Sequence, residues 1–191
     1  MAIGSRTHHI FNPSNLGIAT TLVLFPYVGL APPYHFTENL VGAGDWLLVV
    51  LILIGGMFLN TMFTGRLPLI GAWVVAFILQ AVLRTVFFGT TLVAALLPIS
   101  GLAFVLFTFY MVTDPGTTPS NWGTQIVFGA AVGAMYGIIV QFHIVFGLFF
   151  ALTLVSAMRG AGIVLTRMLR QSKEPFVLTP PIPAEIPEVR S

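Results

Sequence analysis

The sequence predicts an all-α, polytopic membrane protein with about six hydrophobic helices, two of them broken or half-length. Three observations carry that reading. Hydrophobic residues make up 57% of the 191-residue chain and charged residues only 7%, too little polar surface to cover a soluble globule. Roughly five or six apolar stretches are long enough to cross or half-cross a hydrocarbon core about 30 Å thick. Against that background stand two proline-broken polar signatures, Asn12-Pro13-Ser14-Asn15 and Thr113-Asp114-Pro115-Gly116, each expected to open onto a short apolar helix.

The chain divides into a cytoplasmic lead-in with the Asn-Pro motif over 1–15, a membrane domain over 16–165 and a basic, then proline-rich cytoplasmic tail over 166–191. The lead-in has no apolar core followed by a small-residue cleavage site and so does not resemble a secretory signal. A first apolar segment, Leu16 to Leu30, ends at Pro26 and Ala31-Pro32-Pro33 and is marginal as a full span. After a polar loop from Tyr34 to Gly44, Trp46 to Phe63 forms a second helix with Asp45 suited to its N-terminal dipole. The Thr64-Gly65-Arg66 turn leads into a third, Leu67 to Phe88, so these two make a tight hairpin. The fourth, Leu92 to Val112, is expected to kink at Pro98-Ile99-Ser100-Gly101. From Gln125 onward the chain is apolar almost without pause, but Gln141 and His143 divide a short fifth segment from a sixth. That last helix passes Arg159 and runs on amphipathically to about Arg170, after which prolines 175, 180, 181, 183 and 187 enforce an extended tail.

Charge placement orients the bundle. Six crossings with both termini in the cytoplasm put Arg66 and the Arg159 to Lys173 cluster on the inner side of the cell membrane and Glu38 and Asp45 outside, as the positive-inside rule asks. Arg84 is the exception, one turn from the outer end of the third helix, where it acts as a snorkelling anchor or pairs with an acid. A net charge of only +2, with the bases gathered at a membrane flank, makes a lipid bilayer the partner and gives no nucleic-acid face. The absence of cysteine removes disulfides and thiolate metal centres from the chain.

The two signatures concentrate the physical tension. A proline after Asn12 or Asp114 pushes that residue out of helical geometry and frees backbone groups that lipid cannot satisfy. Such backbone must face protein or a wet cavity. Either side chain can cap the helix that follows, and the helix dipole there favours an anionic group, so capping alone and a ligand-lined site both stay open. Gly129, Gly133 and Gly137, spaced by four, form a bare stripe for close helix packing, with passage of a planar ligand as the functional alternative. His143 is expected as an interfacial hydrogen-bonding residue rather than a proton relay, and Phe142, Phe146, Phe149 and Phe150 as a packing or lipid-facing surface. Thr117, Thr118 and Ser120 are loop hydroxyls without a positioned base, so no catalytic residue is assigned.

The order of these motifs resembles the RnfD/NqrB-like family, the membrane protein shared by Rnf electron-transport complexes and the sodium-pumping NADH:quinone reductase. His9 to Gly17, with Pro26 following, resembles that family's Asn-Pro-Ala half-helix opening. Leu97-Pro98-Ile99-Ser100-Gly101, then Phe109 to Pro115, Thr117-Thr118-Pro119 and Ile126 to Ala130, is similar to its most distinctive stretch. Within the family the wording of Asn12 to Gly17, Ala31 to Tyr34, Phe63 to Pro68 and Phe109 to Pro119 is most similar to the actinobacterial branch associated with enediyne biosynthesis, UnbU. The resemblance covers about residues 8 to 165. It implies a fold akin to urea transporters, two five-helix repeats each ending in a broken helix, of which this chain carries the end of the first repeat and the whole second.

Two departures shape the functional expectation. The family attaches FMN through the threonine of a Ser-x-Ala-Thr motif in the outer loop after the first broken helix, and Tyr34 to Gly44 contains no such motif. Ala19-Thr20 lies inside the first segment and lacks the preceding serine, so covalent FMN is not expected. A noncovalent flavin or another ligand at Asn12, Thr113 and Asp114 stays open. The family's N-terminal helices are missing here, which implies other membrane subunits or a chain that supplies them. Three function classes follow: a noncatalytic subunit linked to membrane electron transport or enediyne biosynthesis, a small-molecule permease or exporter, and a membrane scaffold for biosynthetic enzymes.

Overall fold

A computed structural model describes residues 9–25, 43–144 and 146–171. The described residues form an all-helical membrane protein, with no strand among them. Helix α1 is Pro13–Leu24, α2 Ala43–Leu59, α3 Leu67–Phe88, α4 Leu92–Leu96, α5 Leu102–Leu106, α6 Trp122–Gln141 and α7 Gly147–Gln171. Two of them continue as π-helical turns, α2 through Asn60–Thr64 and α5 through Phe107–Met111. Four stretches, Leu47–Thr64, Leu67–Phe88, Trp122–Gln141 and Gly147–Arg170, are long and apolar enough to cross a membrane, and Leu92–Ser100 with Leu102–Met111 makes a fifth when counted as one bent span.

The half-length and the broken helix fall where the sequence places them. With twelve residues, α1 is about 18 Å long and cannot cross a core of about 30 Å. Pro13 opens it at the first helical position, three residues before the expected Leu16, because Pro is favoured there and Asn12 caps the turn. The fourth segment bends by 66° at its break. Pro98 tightens Leu97–Ser100 into a 3-10 turn, and Gly101 leaves helical geometry with ψ 140°. The fifth segment departs from expectation. It is no short helix but a 20-residue span, because Asn121, not a residue near Gln125, caps it by accepting a hydrogen bond from the Gly123 N–H.

The glycine stripe brings two helices into close contact. A Cβ on Gly129 would stand 2.5 Å from the Leu69 carbonyl oxygen, one on Gly133 2.5 Å from the Ala76 Cβ, and one on Gly137 2.9 Å from the Gln80 Cβ. Rising numbers meet rising numbers, so α3 and α6 run parallel, in contact through bare backbone. Beside this seam Trp73 is fully buried among Phe77, Phe104, Phe107 and Tyr136, at ring-centroid separations of 4.9 to 6.2 Å across the group. Its indole N–H donates to the Thr108 hydroxyl at 3.0 Å, which leaves no polar orphan on the ring.

Helix α1 runs antiparallel to α7. The Asn15 amide donates to the Phe149 carbonyl and the Thr153 hydroxyl at 3.1 and 2.9 Å, and Gly160 makes room for Ile10. Among the described residues, helix α2 is held on one flank, where Gly56 lies against Phe109 and the Asn60 amide donates to the Phe109 carbonyl at 2.9 Å. Its other faces present Leu51, Ile54, Phe58 and Phe63 outward. Of the phenylalanine group, Phe142 is exposed while Phe149 packs against the core through Phe107. His143 is exposed and sits in the left-handed region at φ 58°, in the turn between α6 and α7. Arg84 is half-buried, and its Nε has no hydrogen-bond partner. Of the expected loop from Tyr34 to Gly44, residues 34–42 lie outside the described residues and Ala43 and Gly44 already belong to α2; Pro26 to Pro33, Glu38, the Asp45 side chain and the proline-rich tail beyond 171 also lie outside them.

The seam makes a direct test. Gly133→Ala is expected to lower the unfolding temperature in detergent, since overpacking costs about 1–3 kcal/mol, while Gly71→Ala, with nothing within 4 Å of the added methyl, leaves it unchanged or raises it. Equal behaviour of the two variants in circular-dichroism melts contradicts the seam.

Candidate functional site

The loop between Met111 and Asn121 begins with Val112, Thr113 and Asp114 and contains two prolines, Pro115 and Pro119. A proline carries a carbonyl acceptor and no N–H, so this loop has more acceptors than donors. Asp114 organises its near end. One carboxylate oxygen accepts from the Gly116 N–H at 3.0 Å and the other from the Thr117 hydroxyl at 3.1 Å. The Asp114 carbonyl accepts the Thr118 hydroxyl at 2.6 Å and the Thr117 and Thr118 N–H groups at 3.2 and 3.1 Å. The second signature therefore closes an Asx-type turn on itself. This corrects the expectation that Asp114 opens a helix: α6 begins eight residues later, and Asn121 is its cap.

The surplus carbonyls are met by cations from two other helices. The π-helical end of α2 stops at Gly65, whose φ of 60° is a left-handed conformation that glycine tolerates, and the chain turns there to deliver Arg66 at the start of α3. Arg66 is only 4% exposed. Its guanidinium donates through Nη1 to the Pro119 carbonyl and through Nη2 to the Pro115 carbonyl at 3.4 Å. From α7, Arg159 donates through Nη1 to the Thr117 carbonyl between them. Three alternate carbonyls of one loop are thus held by two donor-only side chains. Burial pushes the Arg66 pKa below its ordinary value, the nearby Arg159 charge pushes it further down, and Asp114 acts against both.

Asn12 and Thr113 complete the joint. Asn12 is buried; its side-chain oxygen accepts from the Asn15 N–H at 3.1 Å, as a helix cap does, and its Nδ2 donates to the Met111 carbonyl at 3.4 Å. Thr113 is 3% exposed and donates to the Phe109 carbonyl at 2.6 Å, the same oxygen that Asn60 binds. The structure thus brings the two signatures together through Met111, two residues before Thr113. The three residues that the sequence selects hold their own chain. Arg66 and Arg159, which the sequence reading used only as markers of a charged flank, are the residues that close the site, and Asn15 and Asn60 add buried amides to it. The available signal was the loop's acceptor surplus, which calls for side-chain donors from elsewhere in the fold.

Two apolar grooves flank the joint. One, of about 630 Å³, runs between α6 and α7; the other, of about 500 Å³, lies between α1 and the facing parts of α6 and α7 and includes Thr20 and Thr153. Neither includes Asn12, Thr113 or Asp114 in its lining. In comparisons with known proteins, no family model and no curated protein matched the chain.

Asp114→Ala removes the acceptor of two hydrogen bonds and the anion whose charge acts on Arg66. It is expected to destabilise the folded protein by about 1.5–3 kcal/mol, the range for hydrogen bonds to charged groups, whereas Ser120→Ala, on the exposed side of the same loop, has little effect. Equilibrium unfolding in mild detergent measures both; an unchanged Asp114→Ala midpoint contradicts the clasp.

Proposed function

We propose that this chain is a noncatalytic integral-membrane subunit of the RnfD/NqrB-like kind, closest in its motifs to the UnbU branch and working with further membrane chains in electron transport or enediyne biosynthesis. The observation that carries the reading is the commitment of Asn12, Thr113 and Asp114 to their own backbone, together with Arg66 and Arg159. Groups so bound make a rigid joint between helices rather than a reactive centre. The one-sided packing of α2 supports a role beside other chains, since only 11% of its spanning window is buried. The joint gives less support to a noncovalent flavin at the three residues, whose polar atoms already have partners. In this proposal the protein lies in the cell membrane with both termini cytoplasmic, because Arg66, Arg159, Arg167 and Arg170 then all fall on or towards the inner side.

Isolation of the tagged protein from its native membrane under gentle detergent tests the proposal. The expected result is a complex of fixed stoichiometry with other membrane chains, and redox or biosynthetic flux that falls when this chain is deleted although it holds no flavin after denaturation. A lone species whose deletion leaves both fluxes intact contradicts it.

A further inference from the structure

The groove between α6 and α7 has a polarity of its own. It follows α6 from Gly123 to Ile138, about 22 Å along the helix axis, which exceeds the depth of one leaflet of hydrocarbon, about 15 Å. Its width comes from small residues, Gly123, Ala131 and Ala134, facing Val155 on α7. Apart from Thr124, the single side chain in the lining that carries charge or hydrogen-bonds is Arg159, at the end beside Pro119 and Gly123.

That end carries a surplus of positive charge. Among the described residues, Arg66 has the Arg159 charge on one hand and the Asp114 carboxylate on the other, so two cations stand against one anion, and the N-terminal dipole of α6 adds to the imbalance. One N–H of the half-buried Arg159 guanidinium is committed to the Thr117 carbonyl, which leaves others of its five for a ligand at the groove mouth. Further along α7, Arg167 and Arg170 extend the same sign. Trp122, 72% exposed at the first position of α6, sets this level at a membrane–water interface, where tryptophan is enriched. An apolar trough of leaflet depth with a cation at its interfacial end matches one class of molecule, an amphiphile with an anionic head.

We propose that the α6–α7 groove is a binding site for an anionic phospholipid of the adjacent leaflet, with the phosphate on Arg159 and an acyl chain along Ala131 and Ala134. The site differs from the joint in what it does, since it takes a ligand from the bilayer rather than closing the chain on itself. It is independent of the subunit proposal: a lone protein would bind the lipid equally well.

Native mass spectrometry of the full chain, released from micelles carrying phosphatidylglycerol or phosphatidylcholine, tests this. The wild type is expected to retain one phosphatidylglycerol with about tenfold or greater preference over phosphatidylcholine, the scale of one charge-assisted contact. Arg159→Gln abolishes that preference. Ala134→Phe, at an exposed position that fills the trough, lowers retention of phosphatidylglycerol with Arg159 still in place. Should Arg159→Gln not fold, Ala134→Phe decides alone, and unchanged lipid retention in it overturns the proposal. Equal retention of both lipids by the wild type, or an undiminished preference in Arg159→Gln, also overturns it. Displacement of the lipid by soluble glycerol phosphate at equal concentration would make the ligand a free anion and remove the lipid from the site.

Discussion

Two guanidinium groups holding three alternate carbonyls of one proline-bearing loop are the contact on which the rest of this fold depends. Pro115 and Pro119 keep the segment out of a helix and deprive it of donors, and an unsatisfied carbonyl near hydrocarbon costs several kcal/mol. A donor-only side chain with several N–H groups suits acceptors spaced along such a segment. Arg66 reaches the outer two and Arg159 the middle one. The loop is in turn tied to α1 through Asn12 and Met111, and to α2 through the shared Phe109 carbonyl. One level of the molecule thus gathers the starts of α1, α3 and α6, the end of the broken α4–α5 pair and the middle of α7.

That convergence depends on the glycine seam. Because Gly129, Gly133 and Gly137 let α6 lie against α3 backbone to side chain, the two parallel helices share a register, and their N-terminal ends come to the same height. Arg66 precedes α3 and Asn121 precedes α6, so the loop that enters α6 passes directly over the arginine that enters α3. Lipid tails are as apolar as leucine and offer helices no hydrophobic reason to associate. The close contact therefore comes from packing, with the Trp73 aromatic group filling the space beside the seam. The π-helical turns at Asn60–Thr64 and Phe107–Met111 are part of the same economy of backbone groups: each displaces a carbonyl from the regular ladder, and Asn60 and Thr113 reach the one at Phe109.

Much of this was legible in the chain. Apolar run lengths located α2, α3 and the bent fourth segment, Pro98 marked its break, and the four-residue glycine spacing identified the packing stripe. Asn12 carried a recognisable cap, because Pro13 directly after it leaves one conformational choice. Asp114 looked the same and behaved differently. Its proline is followed by Gly116 and then by a second proline at 119, so the helix waited for Asn121, and the carboxylate found partners within two and three residues instead. Arg66 and Arg159 could not be paired with the loop from sequence, since one lies 49 to 53 residues before its acceptors and the other 42 after. Topological charge rules describe such arginines as a flank, and a flank says nothing about which carbonyl a guanidinium meets.

The most direct measurement of this account is hydrogen–deuterium exchange across residues 112–121 in the wild type and in Arg66→Gln. A loop clamped by Arg66 and Arg159 exchanges slowly in the wild type, and in the variant its protection is lost together with that of the amides at the start of α1, while the α3–α6 seam keeps its own. Rapid exchange of the loop in the wild type, or a variant whose loss stops at residue 66, would contradict the clasp as the joint that sets the fold.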